Sequence, residues 1–74
     1  MLNLQIWFGI VLREQRKKLS ITQDELAHRS NLDRTFVGLL ERGQRKPSLD
    51  TIFALSRGLG IRPSELIAEV EKKI

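Results

Sequence analysis

The chain has 74 residues, 41% of them hydrophobic and 30% charged, with no cysteine and a single histidine. That composition describes one small globular domain and excludes a disulfide framework, a thiolate metal site and disorder. Thirteen Lys and Arg against nine Asp and Glu leave a formal charge of +4, clustered at Arg13, Arg16, Lys17 and Lys18 and again at Arg34, Arg42, Arg45 and Lys46, a balance that suits a polyanionic partner.

The apolar run MLNLQIWFGIVL lacks a positive leader and a small-residue cleavage site, and its basic residues follow it. It is too short to span a bilayer, so the expectation is a cytoplasmic chain with no membrane partner. A first helix is expected from about Ile6 to Lys18, with Phe8, Val11, Leu12 and Leu19 on one face and Arg13 and Lys17 opposite. Leu4, Trp7 and Ile10 exceed that stripe, and either fill a larger core or touch a second subunit. Thr22 and Glu25 form a capping box that starts a second helix. Leu26 and Ala27 point inward there, and the small Ala27 lets the next helix cross closely. Asn31 suits a left-handed turn. Asp33 caps a third helix by accepting from its first turn; Val37 and Leu40 bury, and Gly43 closes it. Pro47 disfavours helix at Lys46. Ser48 caps a fourth helix with Leu49, Ile52, Phe53 and Leu55 as its core residues, ended by Gly58 or Gly60. Pro63 suits the first turn of a fifth helix, over 63–73, carrying Leu66, Ile67 and Val70. No strand-like alternation and no repeat interrupts this pattern. The expectation is an all-α, compact five-helix domain over residues 1–74.

Within it, Thr22–Gly43 reads as two short helices joined by a tight turn, the second with arginine at both ends. The major groove admits an α-helix and shows each base pair a distinct pattern. About ten residues make a helix roughly 15 Å long, enough to reach several base pairs if a preceding helix braces it. The segment TQDELAHRSNLDRTFVGLLERGQRKPSLDTIFALSRGLGI resembles the helix-turn-helix of Cro and phage-repressor regulators, a λ-repressor-like fold. The match runs from about Phe8 to Leu66 through the TQ-x-ELA opening, the ERG-x-R-x-PS exit and the final LG-I. SNLDRTFVGLLERG is most similar to the controller proteins of restriction–modification systems.

The resemblance implies that Gln23 touches a phosphate and braces the recognition helix. It implies that Arg34 and Thr35 meet base edges, Arg34 through guanine O6 and N7 and Thr35 through a thymine methyl or a phosphate. Leu39 stands where polar readers often sit and can discriminate only by apolar contact. Phe36 either packs on the core or stacks on the sugar-phosphate backbone. Gly38 allows close approach either of the duplex or of another helix. Arg42, Gln44, Arg45 and Lys46 are implied backbone contacts, which position without carrying sequence information. Arg16 and Glu41 match a scaffold ion pair.

No nucleophile–base set, phosphate loop or metal spacing supports an enzyme, and no cofactor or small-molecule ligand is expected. The resemblance implies a homodimeric transcriptional regulator on a (pseudo)palindromic operator of double-stranded DNA, with RNA polymerase a further partner. Dimer contacts are expected from Ile61, Leu66 and Ile67. The alternatives are an antitoxin that also binds a toxin and a phage or prophage repressor.

Overall fold

A computed structural model describes residues 3–74, in which five helices and no strand are found: α1 (Leu4–Lys18), α2 (Gln23–Ser30), α3 (Arg34–Glu41), α4 (Leu49–Leu59) and α5 (Pro63–Glu71). Local chemistry sets most of the boundaries. Thr22 accepts the Glu25 N–H at 3.1 Å and Ser48 the Thr51 N–H at 3.0 Å. Pro63 opens α5, where the Glu65 carboxylate accepts the Arg62 N–H at 2.8 Å. At α2 only half of the expected reciprocal box forms, because Glu25 pairs with Arg29 one turn later, at 3.0 Å.

Four helices end in one way. Ser20, Asn31, Gly43 and Gly60 are left-handed, with φ of 57°, 55°, 72° and 73°. After each, the next N–H reaches back to a carbonyl five residues earlier, as Ile21 to Arg16, Leu32 to Ala27, Gln44 to Leu39 and Ile61 to Ser56. This is the Schellman closure, which satisfies the last orphan carbonyls. Gly60, not Gly58, therefore ends α4. Gly58 lies inside the helix, where a Cβ would collide with the Ser30 hydroxyl, so α4 crosses α2 at this small residue.

The core is Phe8, Val11 and Leu12 of α1, Leu26 and Ala27 of α2, Val37 and Leu40 of α3, Leu55 and Leu59 of α4, and Leu66 and Val70 of α5. Three expectations fail. Leu19 is 44% exposed, because the chain leaves α1 there to turn at Ser20. Leu49 and Phe53 are 70% and 52% exposed. The contact of α4 with α2 turns Thr51, Leu55, Ser56 and Gly58 inward, leaving the i, i+4 pair Leu49 and Phe53 on the outer side. Of the surplus apolar residues, Trp7 rests on the core while Leu4 and Ile10 stay exposed. Among the described residues no helix is long and apolar enough to cross a membrane.

Candidate nucleic-acid interface

The turn between α2 and α3 is Asn31 in the left-handed conformation, followed by the partly buried Leu32 and the exposed Asp33. Asp33 occupies the N-cap position of α3 with extended backbone, but its carboxylate makes no cap hydrogen bond. The expected side-chain cap is therefore absent, and the extended backbone and the left-handed turn set the start of this helix.

Beneath the paired helices lies a charged network. Arg16 Nε donates to Glu41 Oε2 at 2.6 Å, Arg16 Nη2 to Glu41 Oε1 at 3.0 Å, and Arg16 Nη1 to the Ile21 carbonyl at 2.9 Å. The Gln23 amide donates to the same Glu41 Oε1 at 3.0 Å. Both ionic side chains are nearly excluded from solvent, at 11% for Arg16 and 3% for Glu41. The hydrogen bond to Glu41 holds the Arg16 guanidinium above its ordinary pKa, against the opposing effect of burial and with a smaller coulombic contribution from the same carboxylate. The network joins the end of α1, the start of α2 and the end of α3, so the last turn of α3 cannot shift without breaking it.

On this frame Arg34 and Thr35 stand exposed at the start of α3, and Arg34 Nε lies 3.1 Å from Asp24 Oδ1 at the start of α2. Leu39 is half-buried, with part of its side chain open. Phe36 is half-buried and packs against the core. Gly38 is buried, and a Cβ there would lie 3.4 Å from Arg42 Nη1 and 3.5 Å from Gln23 Oε1. Its missing side chain thus admits two side chains of this chain. Asp24 was not among the expected site residues. It lies next to the expected Gln23, and only the folded positions of the helix ends reveal it.

The exit from α3 is held by α1. Gln5 Nε2 donates to the Gly43 carbonyl at 2.8 Å, and a Cβ at Gly43 would lie 2.9 Å from Ile6 Cγ1. The backbone thus turns sharply under the first turn of α1 and presents Gln44, Arg45 and Lys46, all exposed. Gln23, Arg34 and Thr35 at the helix starts and Gln44–Lys46 at the exit are where the backbone and base contacts were expected.

The model of the helix-turn-helix family matches residues 12–66, most of the chain. The chain belongs to that family. It is 39% identical over 72 residues to control protein C.MunI of Mycoplasma sp, covering 96% of this chain and 97% of that one. To control protein C.BamHI of Bacillus amyloliquefaciens it is 38% identical over 66 residues, covering 88% and 82%. The crystal structure of the restriction–modification controller protein C.AhdI from Aeromonas hydrophila superposes with a TM-score of 0.81 at 47% identity, covering 84% of this chain and 94% of that one. Family and relatives are DNA-binding transcription regulators, not enzymes.

One expected interface residue of this helix-turn-helix regulator needs correction. Leu66 is fully buried in the protomer's own core and has no surface to offer a second copy. Its spacing with Val70 faces it inward, where α5 packs on α1 and α4. Ile61 is half-buried against the core, and Ile67 is 43% exposed. Ile52 and Ile67 share the wall of an open groove of about 520 Å³ with Leu4, Phe8, Pro47 and Val70.

Proposed function

We propose that the chain is a sequence-specific transcriptional regulator that binds a (pseudo)palindromic operator as a homodimer and controls a restriction–modification operon from the cytoplasm. The observation that carries this reading is the exposed start of α3, with Arg34 and Thr35 outermost, fixed by the Arg16–Glu41–Gln23 network and flanked by the exit loop Gln44–Lys46. Arg34, Thr35 and the open part of Leu39 meet base edges; Gln23 and the exit loop meet phosphates. With so few hydrogen-bonding side chains along α3, DNA shape carries part of the discrimination.

The exposed apolar residues Leu49 and Phe53 of α4 and Ile67 of α5 support a dimer face on these two helices. Two recognition helices then enter successive major grooves about 34 Å apart. Occupancy over a promoter blocks polymerase, and occupancy just upstream recruits it. Concentration-dependent dimerisation is the signal.

Selection of bound sequences from random duplexes tests the reading directly. The expected result is a palindromic site with half-sites one helical turn apart, and recovery of no preferred sequence overturns it. Four phosphates neutralised per subunit give the dimer a slope of log K against log salt near −7 by order of magnitude. Phe53→Glu should leave a folded monomer in sedimentation across concentration, and an unchanged dimer would remove α4 from the interface.

A further inference from the structure

We infer that Asp24 is a specificity-positioning residue that holds Arg34 by an ion pair on its Nε side, so that the guanidinium meets a base and not a phosphate. The inference rests on the reading of Arg34 as a base contact. Asp24 is the second residue of α2 and Arg34 the first of α3, and their side chains meet at 3.1 Å with 74% and 65% of each exposed. A carboxylate is out of place on a surface offered to a polyanion. Of the neighbouring acids, Glu25 pairs with Arg29, Glu41 with Arg16, and Asp33 stands exposed at the N-cap without a cap hydrogen bond. Among the described residues, Asp24 is the acid that forms an ion pair with a residue at the tip of the recognition helix.

Arginine presents a planar fork of five N–H donors. With the Asp24 carboxylate beside Nε as an ion pair, the outer Nη1/Nη2 edge remains, and it suits the paired O6 and N7 acceptors of guanine. In water such an exposed pair is weak. Against a duplex, water leaves and the attraction strengthens. An Asp24 abandoned there would face phosphates with no counter-charge, a penalised state. On the correct sequence both groups are satisfied together. On a wrong sequence Arg34 can swing to a phosphate only by leaving Asp24 unpaired. Discrimination then comes partly from what the wrong complex loses.

Asp24→Asn keeps the shape and removes the charge. In titrations of operator, single-base variants and random duplex, it should tighten binding to random duplex. It should steepen the salt slope of that complex by about one per subunit, and reduce discrimination at the base pair read by Arg34 by about three- to tenfold. Added to Arg34→Ala, it should change discrimination no further. An unchanged base preference, or an equal loss on every sequence, overturns the proposal. Arg34→Ala alone separates the two levels. If it relaxes no base position, the base-reading role fails and the tether with it; if it relaxes one while Asp24→Asn relaxes none, the tether alone fails. Circular dichroism on each variant confirms folding.

Discussion

Replacing Arg16 by methionine tests whether the network under the recognition helix holds geometry or adds stability. Glu41 accepts from Arg16 twice, at 2.6 and 3.0 Å, and from Gln23 once, at 3.0 Å. Arg16→Met removes the first two and strips the Ile21 carbonyl of its 2.9 Å partner. Breaking a buried pair by removing one partner costs about 3–5 kcal/mol; with Gln23 still donating, the lower end, about 3 kcal/mol, applies here. A domain of this size holds roughly 4–11 kcal/mol in all, so the variant stays folded in the cold but melts roughly 12–24 °C lower. The double variant Arg16→Met/Glu41→Leu removes the stranded carboxylate as well and should recover most of that loss. It also frees the Gln23 amide, so the operator affinity stays reduced while stability returns. Thermal unfolding followed by circular dichroism, beside operator titration, reads both. A single variant losing less than about 1 kcal/mol, or a double variant no better than the single, would refute the reasoning.

Three further outcomes are expected. Gly9→Ala would place a Cβ against the Leu40 carbonyl and 2.7 Å from that of Glu41, both backbone atoms of α3; denaturant titration should show a net loss of about 1–3 kcal/mol despite the better helix former, and a neutral result would contradict so close a crossing. Ser20→Gly relieves a left-handed serine and should stabilise by about 0.5–1 kcal/mol, whereas a loss would mean that the serine side chain is needed there. The hydrogen bond from Lys72 at 2.7 Å holds the Glu69 carboxyl below its ordinary pKa, opposed by slight desolvation and helped by the charges of Lys72, Lys18 and Lys73. Its stabilisation is complete above the ordinary carboxylate value and disappears as pH falls through the lowered one; in an NMR titration Lys72→Ala should move Glu69 upward, and an unmoved pKa would refute the cause.

The parts of the fold legible in the sequence are those decided within a turn of the chain. Thr22, Ser48 and Pro63 start helices by their own side chains, and Asn31 and Gly43 end them by tolerating a left-handed backbone. Burial is less legible, because periodicity states which residues share a face but not which face turns inward. Leu49 and Phe53 were grouped with Leu55, yet the meeting of Gly58 with Ser30 rotates α4 and puts the first two outside. For Leu66 the error ran the other way: it lies on the inner side of α5 and Ile67 on the outer. At the site, Arg16 with Glu41 came from the family resemblance and does meet in the fold. Asp24 opposite Arg34 lies beyond any local pattern, since it depends on how two helix ends converge across the turn.

The placement of α1 bears on how the chain can fold as it is made. Its apolar face, Phe8, Val11 and Leu12, packs chiefly against α3 and α5 and less against the helix that follows it. At ordinary rates of synthesis the residues of α5 that complete this cover, Leu66 and Val70, emerge roughly 3–10 s after Lys18. During that interval α3 can cover only its own part of this face, and the part that Leu66 and Val70 close over stays open. A nascent chain arrested before α5 should therefore keep that part of its core open and be engaged by chaperones, although every residue of the helix-turn-helix has already been made.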